Sequence, residues 1–307
     1  MKVSRKGHKE TLSLGISRAA GFAWRKKYSP ACLVASAILF GQLVINQAAM
    51  ADPASGSKPA NAASPWKFSI TPYAWAFGMY GKVGVGNQTA DVDTTFLDVL
   101  RDSDSLVALE GHIEVQYERF GIFFDGSYAD IGAKYEGEFL KADIHQELTF
   151  IEGGLFYRVI EDLPLWHPSP EIGGGKITVD ALAGVRYTYI GLDTSDSLTV
   201  FNRTVKRDFD PNTDWVDPII GARLLLGLTE NIDFSLRGDI GGFGAGSDFT
   251  WNTQALFGYH FPLWSATGEA WAGYRAMGQD YDQGSGRNAF KWDVVFRGPI
   301  MGMTVRW

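Results

Sequence analysis

Cysteine is almost missing from this chain of 307 residues: Cys32 is the only one. It sits at the start of an apolar run near the amino terminus and not at a cleavage point, which argues against a lipid anchor. A domain that begins after that run has no thiol, and therefore no disulfide and no thiolate metal site. Long apolar runs are lacking as well. Past residue 51 nothing reaches ~18 consecutive apolar residues, so no helix there can span a bilayer. Any crossing has to be made by a closed sheet, because hydrocarbon offers no water to an open strand edge. Positive charge is scarce in the same region. The first 51 residues hold 8 of the 28 Lys and Arg but 1 of the 35 Asp and Glu, leaving 20 bases against 34 acids and a net charge of −14. That sign excludes nucleic acid as a ligand. Common hydrolase signatures are missing too, with no HExxH and no GxSxG. The glycines of 242–246 (GFGAG) are flanked by alternating segments and read as a hairpin turn, not a phosphate loop. The 173–176 string (GGGK) lacks the Ser or Thr of a P-loop, and the glycosylation-like pattern at Asn202 is read as chance.

What is present begins with a leader. Residues 1–29 are strongly basic, an apolar run follows from Ala31 to Ile45, and Ala49-Met50-Ala51 makes a small-x-small cleavage pattern. This reads as a secretory signal peptide over 1–51, its apolar run too short to span a bilayer as a helix. Residues 52–65 (DPASGSKPANAASP) are small, polar and proline-bearing, and read as a periplasmic linker. Residues 66–307 show one composition class and fit a single all-β domain.

That domain alternates with a period of two, the signature of strands. The clearest case is its end. Met301, Met303, Val305 and Trp307 share one side; further in, Phe290, Trp292, Val294 and Phe296 alternate with Lys291, Asp293, Val295 and Arg297. The apolar phase shifts once, at Gly298-Pro299, where a bulge is expected. Ten strands are counted: 66–86, 106–117, 121–134, 142–159, 177–192, 214–228, 232–240, 247–261, 266–277 and 290–307. Eight and twelve are the alternatives. An even count puts both ends on the periplasmic side and the longer connections, about 87–105, 193–213 and 279–288, outside. The first holds a short amphipathic helix at 93–102 with Asp93 as N-cap. The 160–176 connection is long for a periplasmic turn. Trp66, Tyr73, Trp75, Tyr128, Tyr187, Tyr189, Trp215, Trp251, Tyr259 and Tyr274 are placed for interfacial girdles.

Ionisable residues gather on the face opposite the aromatics, so they are read as lumen lining: Glu110, His112, Glu114, Asp125, Asp143, His145, Glu147, Arg186, Asp217, Arg223, Arg237, Asp239, Asp248, Glu269, Arg275 and Asp293. His112 and His145, set among carboxylates, offer metal-ligand chemistry, but a hydrogen-bonded lumen network is the reading adopted. Eight strands fill with side chains whereas ~16 leave a channel, so ten with this many long polar groups should be mostly occluded by ion pairs.

A terminal strand closing on an aromatic resembles the last strand of a Gram-negative outer-membrane barrel, which is read by the barrel-assembly machinery. The strings TDWVDP at 213–218, RGDIGGFGAGSD at 237–248, GYR at 273–275, GPIMG at 298–302 and TPYAW at 71–75 resemble a poorly characterised family of proteobacterial outer-membrane β-barrels, porin-like or opacity-like. The resemblance implies location and fold and supplies no catalytic residues. The expectation is a closed antiparallel transmembrane β-barrel in the outer membrane, without enzymatic activity, metal or cofactor. Its expected partners are the bilayer with its lipopolysaccharide, the assembly machinery and small solutes that it binds or passes. The alternative is a surface adhesin acting through its outer loops.

Overall fold

The structure, a computed structural model, describes residues 64–136, 140–164, 175–200, 203–209, 212–286 and 289–307, with backbone alone at 133–136, 140–144, 193–200 and 203–209. The expected leader, and the linker as far as residue 63, lie outside them. Among the described residues no helix is long and apolar enough to cross a membrane.

The described residues form thirteen strands and one short helix, in order: β1 (Trp66–Trp75), β2 (Gly78–Val85), β3 (Gln88–Thr94), α1 (Phe96–Asp102), β4 (Ser105–Tyr117), β5 (Phe120–Glu136), β6 (Leu140–Pro164), β7 (Lys176–Val200), β8 (Arg203–Phe209), β9 (Asn212–Gly227), β10 (Ile232–Gly242), β11 (Phe249–Leu263), β12 (Ala266–Gln283) and β13 (Phe290–Arg306). Ten of them close an antiparallel barrel, β1-β4-β5-β6-β7-β9-β10-β11-β12-β13, with β13 paired back to β1. β2 continues β1 along β13 in one register, Trp75 opposite Ile300 and Gly78 opposite Arg297. The segment expected as one strand over 66–86 is therefore a single wall position. β3 adds to β2, and β8 adds to the far end of β7.

Phe68 and Trp307 exchange backbone hydrogen bonds of 3.2 and 3.0 Å, so both ends of the barrel meet at one rim, here the terminal rim. Its β4–β5, β9–β10 and β11–β12 connections are short. The opposite, loop rim carries β3, α1, β8 and the turn after β10. In that turn Gly242, Phe243 and Gly244 all take positive φ, which two glycines supply without strain.

The outer surface of the terminal half is apolar. Trp66, Tyr117, Phe120, Tyr157, Tyr259 and Trp307 are exposed around the rim. On β11 the outward face from Tyr259 to Phe249 is apolar except for Thr253, whose hydroxyl donates to the Arg237 carbonyl. At ~3.3 Å per residue and ~40° of tilt those ten steps climb ~25 Å, the height of a lipid-facing band. Tyr73, Trp75 and Trp215, expected in the girdles, point inward: Tyr73 and Trp215 donate to Asp125 and Asp217, and Trp75 is buried.

The loop half inverts this polarity. β13 has no bulge at Gly298-Pro299; its register with β12 is continuous from Phe290 to Arg306. Trp292, Val294, Phe296 and Ile300 are all buried inside, while Lys291, Asp293 and Arg297 are exposed outside. The side-chain phase never slips. The polarity of the two faces changes, because past the band the wall faces water and the lumen is filled with apolar groups. β6 behaves alike: Leu148 and Phe150 are buried inside, which puts His145 and Glu147 on the outer face by alternation. Asp293, His145 and Glu147 are thus corrected from lumen to exterior. Asp248 is corrected as well, since it is exposed beside the β10–β11 turn. The side chain of Asp143 lies outside the described residues.

The wall is interrupted at one place. β1 pairs with β4 only as far as Pro72 opposite Gly111, while Ser105–Glu110 goes on paired to β5 alone. The Trp75 backbone N–H freed there donates to the Glu110 carboxylate, whose other oxygen accepts from Ser127 Oγ at 3.1 Å. α1 leads from the low end of β3 back to the outer end of β4 and so runs along this gap. Its N-cap is Thr95, not Asp93, in a capping box with Asp98.

An arginine placed on the lipid face distinguishes the two halves. Leu236→Arg, in the middle of the band, is expected to cost about 2–4 kcal/mol in urea-dependent folding into phospholipid vesicles, and Asp293→Arg, beyond it, less than about 1.

Candidate functional site: a layer of paired charge in the lumen

Inward charges from strand after strand converge on Glu152, which is 1% exposed. Arg186 Nε lies 2.9 Å from Glu152 Oε1, Arg237 Nη2 2.6 Å from Oε2, and Arg275 Nη2 3.2 Å from Oε1. Arg186 also reaches Asp239 Oδ1 at 2.6 Å and donates to Thr250 Oγ1 at 2.9 Å. Arg275 Nε donates to Asn252 Oδ1 at 3.0 Å, and the far side of its guanidinium stands 3.5 Å from Asp125 Oδ1. Its ring neighbour is Trp75, 4.7 Å from the guanidinium carbon. Such charge-assisted, multiply bonded pairs hold ions that could not stay buried singly.

From Asp125 the network turns toward the terminal rim. His112 Nδ1 stands 3.1 Å from Asp125 Oδ2 and His112 Nε2 2.9 Å from Glu114 Oε1. Glu114 meets Arg223, which bonds Asp180 Oδ2 at 2.9 Å, and Asp180 Oδ1 accepts from Arg158 Nε at 3.0 Å. Five arginines thus face five acids, with His112 between two of the carboxylates. Glu110 and Asp217 are satisfied apart from this set, Asp217 by the Ser247 backbone N–H at 2.6 Å and Trp215 Nε1 at 3.0 Å. Three arginines also lie over aromatic rings, Arg223 on Phe156 and Arg237 on Phe123 in addition to the Arg275–Trp75 pair. Phe156 itself fits because residue 121 is glycine; a Cβ there would meet the ring at 2.2 Å.

Above the ions, on the loop side, lies an apolar layer. Trp75, Phe77, Leu148, Phe150, Met277, Trp292, Val294 and Phe296 form one buried cluster with Trp215 and Tyr281, the last two stacked at 4.1 Å. Below the ions, toward the termini, the lumen opens into a vestibule of about 340 Å³ lined by Lys67, Gln116, Arg158 and Arg306. Asp233, His260 and Glu269 at that end are the group among the described residues that presents three ligand-type atoms within 4.8 Å. The charge there is met internally, by Asp233 with His260 at 2.8 Å and Glu269 with Arg306 at 2.6 Å.

Of the residues expected to line the lumen, Glu110, His112, Glu114, Asp125, Arg186, Asp217, Arg223, Arg237, Asp239, Glu269 and Arg275 point into it. The structure brings all but Glu110, Asp217 and Glu269 into the continuous network. Sequence reasoning missed Glu152, Asp180, Arg158 and Tyr73 as members. The signal for Glu152 was the inversion in β6: the in-facing positions there read Leu148, Phe150, Glu152, so the acid hid in an apolar register.

No family model matches the sequence, and no curated protein is significantly similar to it. Solved structures with a similar fold include the attachment invasion locus protein Ail of Yersinia pestis, at 10% identity over 80% of this chain and 100% of that one, with a TM-score of 0.26. The outer-membrane protease OmpT of Escherichia coli is similar over 81% of this chain and 99% of its own, at 8% identity and a TM-score of 0.41. Neisserial surface protein A shares 11% identity over 80% of this chain and 98% of that one, with a TM-score of 0.24. Likenesses this distant carry no argument about activity.

Two outcomes follow from the geometry. Glu152→Gln leaves Arg186, Arg237 and Arg275 without their shared anion and should lower stability by about 3–5 kcal/mol, whereas Asp282→Asn, at an exposed pair 3.1 Å from Lys291, should change it by less than about 1; urea midpoints in vesicles measure both. Outside the membrane band, the Thr95 hydroxyl and backbone N–H hold the Asp98 carboxyl below its ordinary value. A depressed carboxylate stabilises α1 fully above the unfolded value of ~4, and that contribution disappears as the pH falls through the lower, folded value. Amide-exchange protection of Val99 and Ser103, bonded to Thr95 O and Val99 O, should therefore stay flat down to about pH 4 and fall below it, and Asp98→Asn should remove that dependence.

Proposed function

We propose that this chain is a non-enzymatic outer-membrane barrel that binds small solutes and does not conduct them. The observation that carries the reading is the double closure of the lumen. Arg186, Asp239, Met277, Val294 and Phe296 are 0–4% exposed across two successive layers, one ionic and one apolar. A water path through either layer would expose some of them. Ion pairs that satisfy one another also have no spare charge with which to select a passing ion. Both ring nitrogens of His112 are taken by carboxylates, which leaves that imidazole no free nitrogen to act as a base and supports a role outside catalysis.

The apolar band supports residence in a bilayer, and the sequence resemblance supports the outer membrane, reached with a cleaved leader. Lipopolysaccharide around the loop half and the assembly machinery at the terminal strand are the partners this reading carries. A surface-interaction role is the second reading, favoured by one observation. β6 and β7 are 25 residues each, so at ~3.3 Å per residue they extend well past the ~9–11 residues that cross a membrane, and β8 pairs with β7 out there.

Single-channel recording of the refolded protein in a planar bilayer tests the closed lumen. Insertion without conductance is expected. Steady, ion-selective openings would overturn the proposal and make the inward arginines a selectivity lining.

A further inference from the structure

On the loop side of the apolar layer the lumen opens again, into a cavity of about 350 Å³. Its floor is the buried cluster itself, through Met79, Ile190 and Trp292, and its sides are Val83 of β2, Val92 of β3 and Val99 of α1. The volume is within the ~300–1,000 Å³ of small-molecule sites, and the lining is predominantly apolar. Three features of its surroundings say what it would take.

The first is an unused donor. Trp292 is 2% exposed, and its indole Nε1 has no hydrogen-bond partner among the described residues. A buried N–H without an acceptor is costly; Nε1 is sealed within the cluster, so an acceptor brought by a ligand would relieve it once the ring turns toward the cavity. The second is the sign of the rim. Asp98 and Asp102 of α1 line the cavity, and among the described residues its lining contains no Lys, Arg or His, so an anion is disfavoured there. The third is the wall. α1 occupies the gap where β3 and β4 fail to pair, with Val99 turned to the cavity and Leu97 and Leu100 exposed on its other side. A seven-residue helix held by one capping box is the part of this wall most easily displaced.

We infer that this cavity is a binding site for a small, uncharged, largely apolar molecule with one hydrogen-bond acceptor, which sits on the aromatic floor and accepts from Trp292 beneath α1. The site lies outside the two closing layers, so the inference stands whether or not the lumen below it conducts.

The test uses the protein in lipid nanodiscs with radiolabelled 1-decanol as probe, empty nanodiscs serving as the partitioning control. Saturable binding of about one decanol per chain is expected, with decanoate at neutral pH at least tenfold weaker because of the acidic rim. Val99→Trp projects an indole into the cavity and should weaken saturable binding at least tenfold. Trp292→Phe keeps the packing but removes the donor, and should weaken decanol about tenfold while leaving decane unchanged. Folding of both variants is checked by heat-modified electrophoretic mobility. Decanol uptake no greater than in empty nanodiscs, or uptake unchanged in a folded Val99→Trp protein, would overturn the inference.

Discussion

A charge buried inside a narrow barrel has nowhere to go for water, and the rest of this structure is arranged around that constraint. Glu152 stands at the centre because a single carboxylate there can be shared by Arg186, Arg237 and Arg275. Each arginine then needs a second acceptor, which Asp239, Asp125 and Asn252 supply from the neighbouring strands. The chain of demands continues through His112, Glu114, Arg223 and Asp180 until it reaches Arg158 at the edge of the vestibule. Removing a member at the centre of the network leaves a charge that the interior cannot solvate. The network therefore links across the lumen strands that backbone ladders link only around it.

The second organising fact is a change of medium along the barrel axis. In the terminal half the outside is apolar and the inside ionic. In the loop half the outside is charged and the inside aromatic. One strand can serve both halves without a bulge, as β13 does, because alternation fixes only which residues share a face and not which face meets water. The apolar layer also isolates the ions beneath it. Phe150, Phe296 and Trp75 pack directly over them, and the low local polarity strengthens every pair below. The cavity under α1 is what remains where the aromatic filling stops short of the rim.

How far this was legible in the sequence depended on whether a signal was local. The ten wall strands were readable because alternation persists along each; even β1 and β2, split at Ala76-Phe77, keep one phase. β3 and β8 were missed because their residues, QTADVDT and RTVKRDF, are too polar to show a buried face. The inward direction of Arg186, Arg223 and Arg275 was legible, since each sits among outward apolar neighbours. The direction of Asp293, His145 and Glu147 was not, for they lie above the membrane band, where the rule that polar means inward reverses. Glu152 was invisible for the same reason. Its partners come from strands 34 to 123 residues away, and no spacing in one chain announces that three arginines will meet there.

The central claim is that water does not reach the centre of the ionic layer, which opens on the vestibule only at its terminal edge, and guanidinium hydrogen exchange addresses it most directly. In arginine-labelled protein in nanodiscs, the Nε–H of Arg186, 0% exposed and bonded to Glu152, can be compared with that of Arg101, whose side chain is 74% exposed on α1. A sealed layer predicts that the Arg186 signal persists in D₂O long after that of Arg101 has exchanged. Equal loss of the two signals would mean that water reaches the centre of the barrel, and the account of a lumen closed by paired charge would be wrong.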